Sequence, residues 1–179
     1  MRIVGGEFKG RKLVEFAGDD IRPTADKVRE SLYNILQFKI RGCRFLDLFS
    51  GTGAMGIEAL SRGAKEVTFN DSSKKSLSVL KCNLEKLKIK EGFSISNMDA
   101  ERFLKVSGEV YDVIYIDPPY NSGLGILALN SVYNSLADDG IVVYEEEKEF
   151  TGKISGLEVV DRRKYGRVHL TFFKKEGNL

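Results

Sequence analysis

One histidine, two cysteines and three prolines in 179 residues leave little room for several common chemistries. Cys43 and Cys82 stand in unrelated contexts without metal-ligand spacing, which predicts two reduced, buried thiols and speaks against a disulfide framework or a metal site. The single His169 lies in the alternating stretch VHLTFF and reads as a strand residue rather than a catalytic base. No apolar run approaches the roughly 18 residues of a membrane span, and the opening MRIVGGEFKGRKL lacks the apolar segment of an export signal. The expectation is a cytoplasmic, metal-free chain with one main domain, because 42% hydrophobic residues at this length suffice for a full core.

The net charge of +2 is unevenly distributed. Residues 1–44 hold 10 Lys and Arg against 6 Asp and Glu, while the remainder holds 18 against 20. A basic front suits a phosphate backbone, and it equally suits an ordinary solvated surface.

Patterning divides the chain at about residue 44. In front, RIVGG and RKLVEF suggest a short hairpin turning over Glu7 to Gly10, with Gly5, Gly6 and Gly10 in the bends. TADKVRESLYNILQF follows as a helix with Thr24 as its N-cap and Val28, Leu32, Ile35 and Leu36 along one side. From RFLDLF onward strand and helix signals alternate: MGIEALSRG, EVTFN, SKKSLSVLKCNLEKLK, FSISN, AERFLK, YDVIYID, LGILALNSVYNSL and GIVVYEE. Two further strands flank a turn near Lys164 to Gly166. Repeated βα units closed by a hairpin predict an α/β, Rossmann-like fold, a mostly parallel sheet with helices on both faces. Residues 1–43 are expected as a basic hairpin-and-helix extension and 44–179 as the main domain.

Ligands of such sheets bind beyond the carboxyl ends of the strands, where strand order reverses. DLFSGTG, NDSS and DPPY all stand at such ends, and they share one crevice if strands one and four are neighbours. Gly51, Gly53 and Gly56 form GxGxxG between a strand and a helix, and Asp71 follows 20 residues after Gly51, placed for ribose hydroxyls. That much also fits a nicotinamide enzyme. Asp47 separates the two readings, since a carboxylate there disfavours a pyrophosphate and favours the ammonium and sulfonium of S-adenosylmethionine. Asp99 suits both the N-cap of the next helix and an adenine amine, and Ala100 leaves room for the ring.

VIYIDPPYNSG carries the chemistry. Asp117 ends an apolar strand, and Pro118 and Pro119 stiffen the loop and remove two N–H donors. One carboxylate and one carbonyl, from Asp117 and Pro118, can hold an exocyclic amine by its two hydrogens and aim its lone pair. Tyr120 offers a stacking face for a base and Asn121 a polar contact. A plain strand-ending turn is the rival reading of the same residues.

DLFSGTGAMGIEALSRGA, the acid in FNDS, NMDA and YIDPPY together resemble the class I amino-methyltransferases. With RIVGGEFKGRKL and RPTADKVRESLYNIL in front, nearly the whole chain resembles the bacterial RsmD family, which methylates N2 of a guanine in 16S ribosomal RNA. The resemblance implies a seven-stranded sheet with an antiparallel last strand, and a monomer acting on the 30S subunit or a late assembly intermediate. It implies S-adenosylmethionine contacts at Asp47, Phe49, Ser50, Gly51, Thr52, Gly53, Asp71, Ser72, Met98, Asp99, Ala100 and Asp117, with S-adenosylhomocysteine as product. Asp117, Pro118, Pro119 and Tyr120 would receive the guanine. The uneven charge, and not the resemblance, marks Arg2, Lys9, Arg11, Lys12, Arg22, Lys27 and Arg29, with Asn121 beside the DPPY loop, as candidate RNA contacts. Two features depart from the family: Ser73 stands where a second acid is usual, and Glu145, Glu146 and Glu147 put negative charge at the end of strand five. DNA adenine or protein glutamine methylation, and a noncatalytic RNA-binding module, are the competing functions.

Overall fold

The computed structural model describes residues 1–15 and 23–177, without the side chains of 23–25. Its helices are α1 (Pro23–Ile35), α2 (Gln37–Ile40), α3 (Ala54–Ser61), α4 (Lys74–Leu87), α5 (Ala100–Val106) and α6 (Leu124–Ser131). Its strands are β1 (Arg44–Asp47), β2 (Glu66–Asn70), β3 (Phe93–Ser96), β4 (Tyr111–Ile116), β5 (Leu136–Glu146), β6 (Leu157–Tyr165) and β7 (Val168–Lys175). They form one seven-stranded sheet in the order β3-β2-β1-β4-β5-β7-β6. All pairings are parallel except the two made by β7. This is the class I methyltransferase fold. Strand order reverses between β1 and β4, so the ends of these two strands open the ligand crevice.

Apolar doublets in the strands explain the layers, because neighbouring residues of a strand point to opposite faces. Phe45, Val113, Val143 and Phe172 face one core, shared with α1 and α4. Leu46, Ile114, Val142 and Phe173 face the other, shared with α5 and α6. Leu77, Leu80, Leu84 and Leu87 bury one side of α4, which turns Cys82 outward. Cys43 is buried as expected, but Cys82 is exposed, because it lies on the helix side opposite the leucines.

The front segment is more tightly attached and less regular than its pattern suggests. Only one antiparallel bridge, Arg2 with Lys12, forms the hairpin. Its turn docks on α3 instead of extending as two strands: Glu7 N–H donates to the Ser61 carbonyl at 2.8 Å, and Val4 N–H to the Glu58 carboxylate at 2.9 Å. Gly6 (φ +73°) permits this approach, since a Cβ there would stand 1.8 Å from the Ser61 carbonyl oxygen. Ile3, Leu13, Val28, Leu32 and Tyr33 join the same core as β1 and β2. The helix begins at Pro23, so Thr24 lies inside its first turn and not at the expected N-cap, while Arg22 lies outside the described residues. The single helix expected to Phe38 is interrupted at Leu36, and α2 then carries Ile40 into the core. Likewise α6 stops at Ser131, and a 3-10 turn over Tyr133–Ser135 leads into β5.

Candidate active site

A cavity of about 600 Å³ opens at the ends of β1 and β4. Of the residues expected there, Asp47, Phe49, Ser50, Gly51, Thr52, Asp117 and Tyr120 line it together, and Arg29 also reaches its wall. The loop between β1 and α3 is held by backbone hydrogen bonds: within it Gly53 N–H donates to the Ser50 carbonyl at 2.7 Å, and Ser50 N–H donates to the Asn70 carbonyl at the end of β2 at 2.9 Å. Gly53 (φ +86°) lies against Leu80, where a Cβ would come within 2.2 Å. Over Gly51 the space is open, so the loop backbone is bare there.

Asp47 is buried and accepts the Gly56 N–H at 2.9 Å. Burial pushes its carboxyl up to about 7, against that hydrogen bond and with a further push from Asp71. Asp71 braces the loop through Gly51 N–H at 2.8 Å and receives Ser73 N–H, also at 2.8 Å. Ser73, the departure noted above, has work of its own as the N-cap of α4, accepting Ser76 N–H at 3.2 Å. Asp99 caps α5 through Arg102 N–H at 2.8 Å and is otherwise exposed. Asp71, Ser72, Met98, Asp99 and Ala100 do not border the cavity; they follow β2 and β3 along the same sheet edge. Buried Asn70 ties these segments together by donating to the carbonyls of Leu48 and Met98 at 3.1 and 3.2 Å.

At the end of β4, Asp117 is held well above the usual carboxylate range, first by burial and then by Glu145, Asp47 and Glu146. Its carboxyl has no hydrogen bond or ion pair among the described residues. Pro118 is buried, while Pro119, Tyr120 and Asn121 are exposed, the last with φ +57°. Pro118, Pro119 and Asn121 shape the loop beside the cavity without lining it.

Arg29, expected among the RNA-facing cations, is turned inward and paired within the chain. It is 3% exposed, donates to the Asp26 carboxylate at 2.7 Å and the Arg2 carbonyl at 2.6 Å, and lies 3.7 Å from Glu58. Arg2 is exposed and approaches Asp26 at 3.5 Å. Lys9, Arg11, Lys12 and Lys27 are exposed and form no ion pair among the described residues. Sequence patterning missed Tyr115, Glu145 and Arg167, all of which line the cavity. Glu145 read as one of three like charges, yet it is buried, while Glu146 turns to the Tyr144 hydroxyl at 2.8 Å. Arg167 sits in the turn between β6 and β7, a position that only the closed sheet brings to the cavity.

The family Conserved hypothetical protein 95 matches residues 1–174. Ribosomal RNA small subunit methyltransferase D of Haemophilus influenzae is 37% identical over 154 residues, covering 83% of this chain and 80% of that protein. The chain belongs to this RsmD-like methyltransferase family. The solved structure of yhhF from Escherichia coli is 33% identical, covers 98% of each chain and superposes with a TM-score of 0.87. A T. thermophilus 16S rRNA N2 methyltransferase bound to AdoMet and guanosine is 21% identical, covering 90% of this chain and 45% of that one. Its TM-score of 0.72 shows a shared fold.

As a member of the family the chain is an S-adenosylmethionine-dependent methyltransferase. The cavity suits that cofactor on three counts. Asp47, at the end of β1 beside the glycine loop, gives its wall a buried carboxyl suited to a cationic ligand. The open Gly51 backbone admits close approach, and the Ser50 hydroxyl is buried without a hydrogen-bond partner. Among the described residues no helix is long and apolar enough to cross a membrane, and no group of His, Cys, Asp and Glu could hold a metal.

Proposed function

We propose that the chain methylates the N2 amine of a guanine in 16S ribosomal RNA, as a cytoplasmic monomer acting on the 30S subunit or a late assembly intermediate. The observation that carries this reading is the meeting of Asp47, from the glycine loop, with Asp117 and Tyr120, from the DPPY loop, in one cavity. When bound, S-adenosylmethionine supplies a methyl group activated by its sulfonium charge and leaves as S-adenosylhomocysteine. An aromatic exocyclic amine is a weak nucleophile because its lone pair is delocalised into the ring. Asp117 and the Pro118 carbonyl accept the two amine hydrogens, which draws electron density to nitrogen and aims the lone pair along the breaking S–CH₃ bond. As the N–CH₃ bond forms, nitrogen releases one proton to Asp117, whose raised affinity for protons suits it to the task, and thence to water. Tyr120 holds the base by stacking. Methyl transfer from labelled cofactor, assayed in parallel on 30S particles, naked 16S rRNA, DNA and protein, tests the reading. Label confined to DNA or protein would overturn it.

Asp47 ties cofactor binding to pH. In the unliganded chain its raised carboxyl stabilises the fold fully below the ordinary value of 3.8, and that contribution is lost as pH rises toward about 7. A sulfonium or ammonium ligand selects the ionised form. Affinity for S-adenosylmethionine should therefore climb several-fold between about pH 6 and pH 8. Asp47→Asn should flatten this climb and weaken binding by roughly tenfold or more. Calorimetric titrations across that range check both; parent-like affinity and slope in the variant would remove Asp47 from the cofactor site.

In this reading the front segment receives the RNA backbone. Met1 and Val28 border the cavity, next to the exposed Lys12 and Lys27, and Arg167 supplies a cation at another part of its wall. Phosphate contacts of this kind position the RNA without choosing the base. Replacing Arg11 and Lys12 together with alanine should weaken binding to 30S particles and flatten its salt dependence by roughly one to two ions. Filter binding across a salt series reads this out; an unchanged slope and affinity would leave the pair as ordinary surface.

A further inference from the structure

We infer that Glu145 selects guanine by accepting the ring N1–H next to the amine that Asp117 and Pro118 hold. This rests on the guanine-N2 reading above and names the residue that makes the choice of base. The backbone sets up the pair. Ile116 and Tyr144 are register partners in parallel β4 and β5, so Asp117 and Glu145 follow side by side at the carboxyl ends of the two strands. Both line the cavity, together with Tyr115 and Tyr120.

The surroundings of Glu145 fix its orientation. Its side chain belongs to a residue only 9% exposed. The Tyr115 hydroxyl donates to Oε2, and the Tyr120 hydroxyl to Oε1 at 3.4 Å. Each carboxylate oxygen accepts about two hydrogen bonds, so the phenols anchor the group and leave acceptor capacity on both atoms. Glu146 is spent on Tyr144, which makes Glu145 the member of the acidic run that faces the cavity. A carboxylate in such a place is costly unless donors reach it.

Guanine supplies the matching donor. Among the four RNA bases it alone carries a ring N–H beside an exocyclic amine; adenine and cytosine place an acceptor at the corresponding ring position, and uracil has no exocyclic amine. With the amine held at Asp117, the adjacent ring position is turned toward the neighbouring strand end and Glu145. An acceptor there would meet a carboxylate with no hydrogen between them, a mismatch that hydrogen-bonding sites reject strongly. Asp117 and Pro118 thus recognise an amine, and Glu145 the ring that bears it.

The test uses 2-aminopurine, which keeps the N2 amine but has an acceptor at N1. Reconstituted small-subunit particles carrying guanine or 2-aminopurine at the methylated position are compared by kcat/KM for methyl transfer. The parent enzyme should prefer guanine by roughly tenfold or more. Glu145→Gln can present either its amide oxygen or its NH₂ to N1, so the preference should collapse to within about threefold. Glu145→Ala should also lose the preference, and calorimetric binding of S-adenosylhomocysteine verifies that both variants fold. A structural role alone would slow both substrates together, so a guanine preference kept in both variants would overturn the assignment of Glu145. Failure of the parent enzyme to methylate the guanine particles would instead overturn the substrate reading beneath it.

Discussion

Asp117→Ala is expected to lower methyl-transfer turnover by roughly two orders of magnitude or more while cofactor binding changes little. The carboxyl stands at the end of β4 with no hydrogen-bond partner among the described residues, so its removal leaves no internal donor unsatisfied. It also removes a carboxyl that burial and the neighbouring Glu145 and Asp47 hold high, which relieves the fold rather than straining it. What disappears is the charged acceptor for the amine and the first stop for its proton. Single-turnover kinetics, with S-adenosylhomocysteine affinity measured alongside, separate the two effects. Turnover within threefold of the parent would remove Asp117 from the amine clamp. Its pH profile follows from the same burial: the ionised form acts, so the rate should rise with pH through a midpoint well above the usual carboxylate range.

Glu58→Ala is expected to cause the largest loss of stability, about 3 kcal/mol. Glu58 is fully buried in α3 and takes three partners: Arg62 at 2.8 Å, the Val4 N–H at 2.9 Å and Arg29 at 3.7 Å. Alanine leaves the Arg29 guanidinium buried with one carboxylate fewer and frees the front segment from its dock on α3. For a chain of this size the melting temperature should fall by roughly 10 °C. Glu58→Gln, which keeps the shape and an acceptor for Val4 N–H, should lose less. Thermal unfolding of both variants measures the difference, and an alanine variant melting within about 2 °C of the parent would show that the ion pairs add little.

Much of the fold was legible because its central strands are buried on both faces. Doublets such as Phe45 with Leu46 and Val142 with Val143 commit one residue to each core whatever the register. The glycine loop and DPPY were legible for a related reason: both occupy strand ends, and topology alone brings such ends together when β1 and β4 pair. Side chains whose role depends on a distant partner were not legible. Arg29 read as an RNA-facing cation on the first helix, yet it is buried between Asp26 and Glu58, the latter far along the chain. Asn83, on α4, gave no signal, yet it is buried and joins the Val14 carbonyl to the Thr52 carbonyl at 3.1 and 3.0 Å. Glu145 was hidden by its acidic neighbours, since nothing local reveals that two tyrosines from the β4 side will meet it. The hairpin was read as two strands from its glycines and alternation, whereas its backbone groups are satisfied partly by α3.

The central claim is that this cavity methylates a guanine amine in ribosomal RNA, and mass mapping of nucleosides tests it most directly. Total RNA, DNA and protein are exposed to the purified chain and S-adenosylmethionine, digested, and compared with the same material treated with Asp117→Ala. The expected result is N2-methylguanosine at a single position of 16S rRNA with the parent chain and little or none with the variant. A methyl group found instead on DNA adenine or protein glutamine would contradict the claim, as would equal methylation by the two chains.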